Sequence, residues 1–386
     1  MPAKPLSHIK VVDFSAVYAG PICSRMLADC GANVIKVETT GAGDLTRGPK
    51  GKSRVFCHFN AGKRSIAVDL KHPEGRKIAL ELIASADVLI ENFRPGVMKQ
   101  FGLDYATVKQ TRPDLVYCSI SGFGQQGPFA QRAAYAPVAH AASGFDMAHM
   151  QTQLQPDADP AIWGIMIADM LTGSYALGAI QTALLGRTQS GLGEHIDVTM
   201  LESMMTLIPA QVQNAQIPNA PAPRGFQPVR TKDGFVIICI VSNKNMRCLC
   251  EAMQRPDMLQ DERYTFGQHF KNHDLFIAEI ERWSSQLDTV ACEQALNEFS
   301  VPCSVYNRPQ DLFDHPQIVS RQAFTEQQDE YGTFVIQNAP FQFASVNIAT
   351  ASETPALGQH TDEVLAAELG YVAADIQRLR QAGVVG

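Results

Sequence analysis

Asp169 is the residue whose surroundings in this sequence most suggest chemistry. It lies near the start of a long run of apolar and small residues, 162–185, where a charged side chain is unusual. Burying a carboxylate costs several kcal/mol unless it is paired or functional. A carboxylate held in such a place can act as a nucleophile or as a general base. A structural role stays open, because aspartate also caps the N–H groups at helix starts.

A glycine-rich segment is the second candidate. Residues 122–127 read G-x-G-x-x-G and follow a predicted strand, as in dinucleotide-binding folds. However, that strand is the fifth rather than the first, and Pro128 and Pro137 prevent a long helix from starting there. No predicted strand that ends in an acidic residue follows about 20 positions later, as a contact with the ribose would require. We therefore interpret the glycines as a mobile loop whose backbone can approach a ligand closely.

Positive charges are concentrated in one span of the chain, residues 36–77. Only four acidic residues oppose ten basic ones there, although a run of charge is often just a solvated face. At the ends of parallel strands such residues can bind a multiply phosphorylated ligand. Coenzyme A, with its 3′-phosphate and pyrophosphate, would suit such a groove. The ten residues are Lys36, Arg47, Lys50, Lys52, Arg54, Lys63, Arg64, Lys71, Arg76 and Lys77.

Two short spacings resemble parts of metal sites. Cys248 and Cys250 form a C-x-C pair on a predicted helix, where their side chains diverge, and His269 and His273 have helical metal spacing without a third ligand. We expect no metal there. The nine cysteines are an odd number and scattered, which favours free thiols in a reducing cytosol.

Composition sets further limits on function. The 386 residues are 45% hydrophobic and 18% charged, which is typical of a soluble globular protein large enough for two domains. The net charge of −7 argues against nucleic acid or an anionic membrane as the main partner. No apolar window is long enough to span a membrane, and Asp13 interrupts the first apolar stretch, unlike in a signal peptide. We predict a cytoplasmic protein.

The elements that must position the candidate residues alternate between short apolar runs and helical patterns. This alternation predicts βαβ units and a parallel sheet. The predicted strands are 9–14, 33–38, 65–69, 87–91 and 115–120, and the predicted helices include 21–30, 73–85 and 361–382. The small residues around Asp169 predict a helix in the packed centre.

A proline-rich stretch separates the two halves of the chain. Five prolines between residues 209 and 230 indicate a linker, and a smaller α+β pattern follows it. The predicted organisation is a large domain from 1–208 and 330–386, a linker at 209–224, and a small domain at 225–329.

Taken together, the motifs along the chain resemble those of the family III (CaiB/BaiF-type) CoA-transferases. The match runs over nearly the whole chain, in order and in spacing. The segments that carry it are Val12–Ser15, Ala19–Pro21, Leu27–Glu38, Gly43–Gly48, Asn60–Ser65, Asp69–Lys71, Glu91–Gly96, Ser119–Gln125 and Gly358–Thr361.

The resemblance implies a fold, an activity and a set of site residues. It implies an α/β fold with a large Rossmann-like, CoA-binding domain built from both chain ends, a smaller α+β domain, and an interlocked homodimer. The nucleophilic aspartate of the family matches Asp169. The positions that match CoA-contacting residues are Val17, Tyr18, Lys71, Asn92, Phe93 and Tyr135. Backbone N–H groups of Gly122, Phe123 and Gly124 are expected to stabilise oxyanions from a flap-like loop.

The expected reaction moves CoA from an acyl-CoA to a small carboxylic acid through an aspartyl anhydride and an aspartyl-CoA thioester. CoA is then a substrate, and no permanently bound cofactor is needed. Tyr18, Thr39 and Gln100 depart from the residues of oxalate-type members, which argues against an oxalate or formate specificity.

Two alternatives remain. The same fold hosts α-methylacyl-CoA racemases, which pair the aspartate with a histidine. That position is Tyr135 here, and the nearby His140 is displaced by five residues. The other alternative is a non-catalytic CoA-binding subunit.

Overall fold

The computed structural model describes residues 3–153, 159–220 and 225–386. The described residues form two compact units, one drawn from 1–148, 159–212 and 320–386, and one drawn from 149–158 and 213–319. The first unit therefore contains both chain ends. The last residues of the predicted linker, 221–224, lie outside the described residues.

The strands and helices are numbered in chain order. The strands are β1 (Lys10–Asp13), β2 (Asn33–Glu38), β3 (Arg64–Ala67), β4 (Val88–Glu91), β5 (Val116–Ser121), β6 (His195–Thr199), β7 (Pro228–Arg230), β8 (Phe235–Ile238), β9 (Cys303–Val305), β10 (Phe324–Asp329) and β11 (Gly332–Gln337). The helices are α1 (Ala19–Asp29), α2 (Arg54–Asn60), α3 (Pro73–Ala84), α4 (Val97–Phe101), α5 (Tyr105–Val108), α6 (Ala136–Ala142), α7 (Phe145–Gln151), α8 (Ile167–Ser190), α9 (Met200–Met205), α10 (Pro209–Asn214), α11 (Asn243–Ala252), α12 (Gln268–Lys271), α13 (His273–Ser284), α14 (Thr289–Glu298), α15 (Pro316–Ser320), α16 (Thr361–Leu369) and α17 (Ala373–Gln381).

A six-stranded parallel sheet forms the centre of the first unit. Its strand order is β3-β2-β1-β4-β5-β6, which is the order of the Rossmann fold. The five predicted strands correspond to β1–β5, so the predicted α/β class with a parallel sheet is confirmed. Strand β6 was not predicted, because it lies at the sheet edge and alternates polar and apolar residues instead of forming an apolar run.

Helices cover both faces of this sheet. Helices α1 and α8 pack on one face around apolar side chains such as Val11, Val88 and Ile120. Helices α3, α16 and α17 pack on the other face around Val12, Leu89 and others. The C-terminal segment therefore completes the core that the N-terminal strands begin.

Two predicted helices have different bounds in the structure. The run predicted from residue 162 begins as helix α8 only at Ile167. The single helix predicted at 361–382 is two helices, because Gly370 adopts a left-handed conformation (φ 74°) that ends α16.

The second unit contains a three-stranded antiparallel sheet, β7-β8-β9. Its core joins this sheet to helices α11, α13 and α14 through side chains such as Val236, Leu249, Ile280 and Leu296. The predicted small domain, 225–329, also included β10. In the structure β10 pairs with β11 as a hairpin, and this pairing puts it in the first unit.

Neither a membrane span nor a metal cluster is found in the described part of the chain. No helix there combines the length and the apolar character needed to cross a bilayer. No group of three or more His, Cys, Asp or Glu side chains there is arranged to hold a metal ion.

Candidate active site

Most of the predicted site residues lie at the carboxyl edge of the parallel sheet. Val17 and Tyr18 follow β1, Asn92 and Phe93 follow β4, and Gly122 begins the loop after β5. Strands β1 and β4 are neighbours at the point where the strand order reverses, which is where open α/β sheets bind ligands. The sequence therefore brings these residues to the usual ligand crevice of the fold.

Asn92 ties the loops after β1 and β4 together. Its Nδ2 donates to the carbonyl oxygen of Ala16 at 2.7 Å, and its Oδ1 accepts the N–H of Ala16 at 2.8 Å. This paired contact fixes the start of the turn at Val17, which has a positive φ of 71°. A left-handed conformation is rare for a β-branched residue. The predicted CoA-contacting loop is thus held rigidly in a strained form.

Glycines allow helix α8 to reach the start of helix α1. A Cβ on Gly173 would lie 2.4 Å from Ile22 Cγ2 and 2.5 Å from the carbonyl oxygen of Ala19, so a larger residue does not fit. A Cβ on Gly20 would lie 2.1 Å from Ser15 Cβ. The approach at Gly173 brings the first turn of α8, with Asp169, against the N-terminus of α1, and the approach at Gly20 packs the start of α1 against the loop after β1.

Asp169 is buried in this contact, with 7% of its surface exposed. The backbone N–H of Ala19, at the first position of α1, lies near its carboxylate and favours the ionised form. Burial raises the pKa of Asp169 to about 6, although the N–H groups of Ala19 and Asp169 oppose this. Among the described residues, no lysine, arginine or histidine forms an ion pair with it. The carboxylate is therefore buried and uncompensated by a cation.

His140 anchors the same turn of α8 from the other side. Its ring is fully buried, and its Nε2 accepts the N–H of Ala168 at 3.1 Å. Burial lowers the pKa of His140, against a weaker opposite effect of Asp146, so the ring stays neutral near pH 7. The lone pair of Nε2 is thus used in the fold. In the sequence, His140 is notable only for its position near Tyr135.

Tyr135 and Lys71 are more exposed than the residues around Asp169. Tyr135 precedes helix α6 and is 65% exposed, and α6 packs against α8. Lys71 follows edge strand β3, which β2 separates from β1. Arg76 holds that loop by donating to the carbonyl oxygen of Lys71 at 2.8 Å. Both residues border the carboxyl edge of the sheet, but neither belongs to the hydrogen-bonded group of residues around Asp169.

The glycine loop after β5 is bonded to its own strand and to β6. Gly124 donates its N–H to Ser121 Oγ at 2.9 Å, and Gln125 donates its N–H to Asp197 Oδ2 at 2.8 Å. A Cβ on Gly122 would lie 2.3 Å from Ala134 Cβ. In this conformation the N–H of Gly124 is therefore already used, which leaves Gly122 and Phe123 as the better oxyanion donors of the three.

The prediction of a broad phosphate-binding groove needs a correction. Lys36, Arg47 and Lys63 are buried and paired with Asp44, Glu38 and Asp13, with N–O distances of 2.9, 2.6 and 3.0 Å. They form internal ion pairs and are not accessible to a ligand. Four more of the ten pair at the surface, namely Lys50, Arg54, Arg64 and Lys77. The sequence shows charge but not which charges are already balanced.

Glu91 is a second buried carboxyl group that the sequence reading did not single out. It ends strand β4 and accepts the N–H of Phe93 at 2.9 Å. Burial raises the pKa of Glu91 to about 7, against hydrogen bonds from Ser119 and Phe93. Its signal in the sequence was weak, because an acidic residue at the end of a strand is common.

Comparison with known proteins decides the family. The sequence profile of CoA-transferase family III matches residues 6–361. The chain belongs to CoA-transferase family III. It is 34% identical to a succinate–glutarate CoA-transferase of Agrobacterium fabrum, over 94% of this chain and 95% of that protein. It is 33% identical to the human succinyl-CoA:glutarate CoA-transferase, over 99% of this chain and 90% of that protein.

A solved structure of the same family has the same fold. The crystal structure of a CaiB/BaiF family protein from Brucella suis superposes with a TM-score of 0.81 at 32% identity. The match covers 95% of this chain and all of that one. The protein is thus a family III CoA-transferase, an enzyme whose relatives act on CoA thioesters and carboxylates.

Proposed function

We propose that this protein moves CoA from an acyl-CoA to a carboxylic acid, with Asp169 as the nucleophile. The observation that supports this most is the state of Asp169, which is buried, not paired with a cation, and in contact with the N-terminus of α1. A pKa of about 6 keeps the carboxylate ionised at neutral pH while burial strips it of water, and a desolvated carboxylate is a stronger nucleophile.

The proposed reaction has two half-reactions through the same intermediates. An Asp169 oxygen attacks the thioester carbonyl carbon and the C–S bond breaks. CoA departs as a thiolate, and a mixed anhydride between Asp169 and the donor acyl group is formed. The thiolate attacks the aspartyl carbonyl carbon and releases the donor as a carboxylate. The acceptor carboxylate attacks the aspartyl-CoA thioester and again releases thiolate. That thiolate attacks the acceptor carbonyl carbon, which forms the new acyl-CoA and frees Asp169.

The remaining predicted residues serve binding in this proposal. Val17, Tyr18, Asn92 and Phe93 contact CoA at the crevice between β1 and β4, and Lys71 and Tyr135 contact it from the border of the same edge. The N–H groups of Gly122 and Phe123, in the glycine loop after β5, stabilise the oxyanions. Binding energy from the CoA portion then positions the thioester against Asp169.

We further propose that the acids exchanged are short dicarboxylates. This rests on the relatives named for succinate and glutarate, which the chain matches over nearly its whole length. The homodimer, its interlocked form and the cytoplasmic location stay predictions from the sequence.

Substitution of Asp169 tests the nucleophile. We expect Asp169→Ala to lower succinyl-CoA:glutarate transfer by at least a thousandfold, because the covalent route is lost. Hydroxylamine added with succinyl-CoA should convert Asp169 to a hydroxamate that mass spectrometry locates. Glu91 is the internal control, since it is also buried with a raised pKa. Substantial transfer by the Asp169→Ala variant, or an adduct at Glu91 alone, would contradict the proposal.

The same samples separate the two alternatives. A racemase would exchange the α-hydrogen of a 2-methylacyl-CoA with deuterated water and form no adduct. His140 is a poor second base for that reaction, because its Nε2 accepts the Ala168 N–H. A non-catalytic subunit would bind CoA and perform neither reaction.

A further inference from the structure

Val17 has a backbone conformation that its own side chain disfavours. Its φ of 71° lies in the left-handed region, and among L residues a β-branched one fits there worst. Strained residues of this kind persist only where the surrounding structure over-determines them. Contacts around Val17 must therefore hold it in this conformation.

Asp44 holds the amide of Val17. The Val17 N–H lies 3.3 Å from Asp44 Oδ1 and 3.2 Å from Asp44 Oδ2, a contact between groups 27 residues apart. The carboxylate is itself fixed, because Oδ1 accepts the N–H and the hydroxyl of Thr46 at 2.9 and 2.7 Å. Its Oδ2 accepts Lys36 Nζ at 2.9 Å.

Lys36 connects this carboxylate to the same turn. Its side chain is fully buried, and its Nζ also donates to the carbonyl oxygen of Ser15 at 2.7 Å. The Asp44 N–H donates in turn to Glu38 Oε2 at 3.0 Å. Lys36, in strand β2, and Asp44 therefore hold the turn from Ser15 to Val17 through buried charged contacts.

The direction of the next residues depends on this turn. Ala19 follows Val17 by two positions and begins helix α1 where α8 approaches it most closely, and its N–H favours the ionised form of Asp169. A relaxed φ at Val17 would rotate the chain that enters α1. The Ala19 N–H would then move relative to the Asp169 carboxylate. The predicted CoA-contacting residues Val17 and Tyr18 would move as well.

We propose that Asp44 is a positioning residue for CoA transfer, which with Lys36 holds Val17 in its left-handed conformation and so aims the start of α1 at Asp169. This inference rests on the proposed role of Asp169 as the nucleophile.

A double-mutant cycle between Asp44→Asn and Val17→Gly tests it. An asparagine puts an NH2 donor where one of the two Asp44 oxygens lies, so either Lys36 or Thr46 would face a donor, and the negative charge beside Lys36 would be lost. A glycine adopts a φ of 71° without strain. We expect Asp44→Asn to lower kcat, at saturating succinyl-CoA, by ten- to a hundredfold and to raise KM for succinyl-CoA. In the Val17→Gly background the same change should cost less than threefold in kcat.

A purely structural role of Asp44 predicts a different pattern. Loss of folded protein would reduce the number of Asp169 sites trapped by hydroxylamine, leave KM unchanged and reduce kcat by the same factor in both backgrounds. Equal factors would overturn the proposal. So would a Val17→Gly variant that folds but loses more than a thousandfold in kcat, because the proposal requires glycine to maintain this turn.

A milder variant covers the case in which Asp44→Asn does not fold. Thr46→Val removes one donor to Asp44 Oδ1 and keeps the charge that Lys36 needs. It should lower kcat three- to tenfold with Val17 present and not measurably in the Val17→Gly background; equal losses would overturn the proposal. If Asp169→Ala retains transfer, the proposed function fails instead, whatever this cycle shows.

Discussion

Two buried aspartates of the first unit have opposite electrostatic surroundings. Asp13, at the end of β1, is fully buried and accepts from Lys63 Nζ at 3.0 Å, from Ser24 Oγ at 2.6 Å and from Ser15. Burial raises the pKa of Asp13, but Lys63, Lys36 and the hydroxyls outweigh it and lower the pKa to about 2. Asp169 is almost as buried, and its pKa rises to about 6.

The difference between the two shows what marks a reactive group. Burial alone does not distinguish them, since both side chains are out of water. Compensation of the negative charge distinguishes them. Asp13 has two nearby cations and stabilises the fold, whereas Asp169 has only backbone N–H groups. A carboxylate that the fold leaves uncompensated remains available to a substrate.

Removing the charge of Asp13 should have the largest effect on stability. Asp13→Asn leaves Lys63 buried without its partner, and breaking a buried pair costs about 3–5 kcal/mol. Urea denaturation at pH 7 measures this. Glu330→Gln is the control, because it breaks an exposed pair with Lys50 and should cost less than about 1 kcal/mol. Similar losses in both variants would show that Asp13 is not the structural carboxylate.

Removing the charge of Asp169 should do the opposite. The folded-state pKa of about 6 lies above the ordinary value of 3.8, so the ionised form destabilises the fold by about 3 kcal/mol above pH 6. Protonation removes this cost as the pH falls from 6 towards 4. Asp169→Asn is uncharged at every pH, so it should be more stable than the parent at pH 8, by up to about 3 kcal/mol.

The pH dependence is the decisive part of that measurement. Urea unfolding of both proteins at pH 8, 6 and 5 should show the advantage of the Asp169→Asn variant shrinking as the pH falls. An advantage that is equal at pH 8 and pH 5 would mean that the charge of Asp169 is not what costs stability. A variant less stable than the parent at pH 8 would mean that the carboxylate is compensated after all.

The two aspartates also show which features can be predicted from the sequence and which cannot. Apolar runs predicted β1–β5 and helix α3 nearly to the residue, because those segments are buried on the faces that their patterns indicate. The edge strand β6 and the helix Arg54–Asn60 lack such patterns and were not predicted. At the site, Asp169 was found because an apolar run surrounds it.

The pairing of buried charges could not be predicted from the sequence. The partners Asp13 and Lys63 are 50 residues apart, and only the fold brings them together. For this reason the basic residues of 36–77 suggested a phosphate groove, although Lys36 and Lys63 neutralise buried carboxylates. The contacts of Asp44 with Val17 depend on the fold in the same way.

Close packing of α8 on α1 gives the last and smallest of these effects. Gly173→Ala adds a Cβ that would lie 2.4 Å from Ile22 Cγ2 and 2.5 Å from the Ala19 carbonyl oxygen. Overpacking of this kind costs about 1–3 kcal/mol. The helices must also separate, and Asp169, one turn earlier on α8, would move away from the Ala19 N–H. We therefore expect lower stability in urea and lower kcat together.

Gly178→Ala in the same helix is the matched control for that change. A Cβ at this position meets no atom within 4 Å, and alanine favours a helix over glycine by about 1 kcal/mol. It should therefore raise stability and leave kcat near the parent value. If Gly173→Ala instead behaved like Gly178→Ala, the contact between α1 and α8 would not be what brings Asp169 to the Ala19 N–H. Some feature other than the contact between α1 and α8 would then have to keep cations away from Asp169.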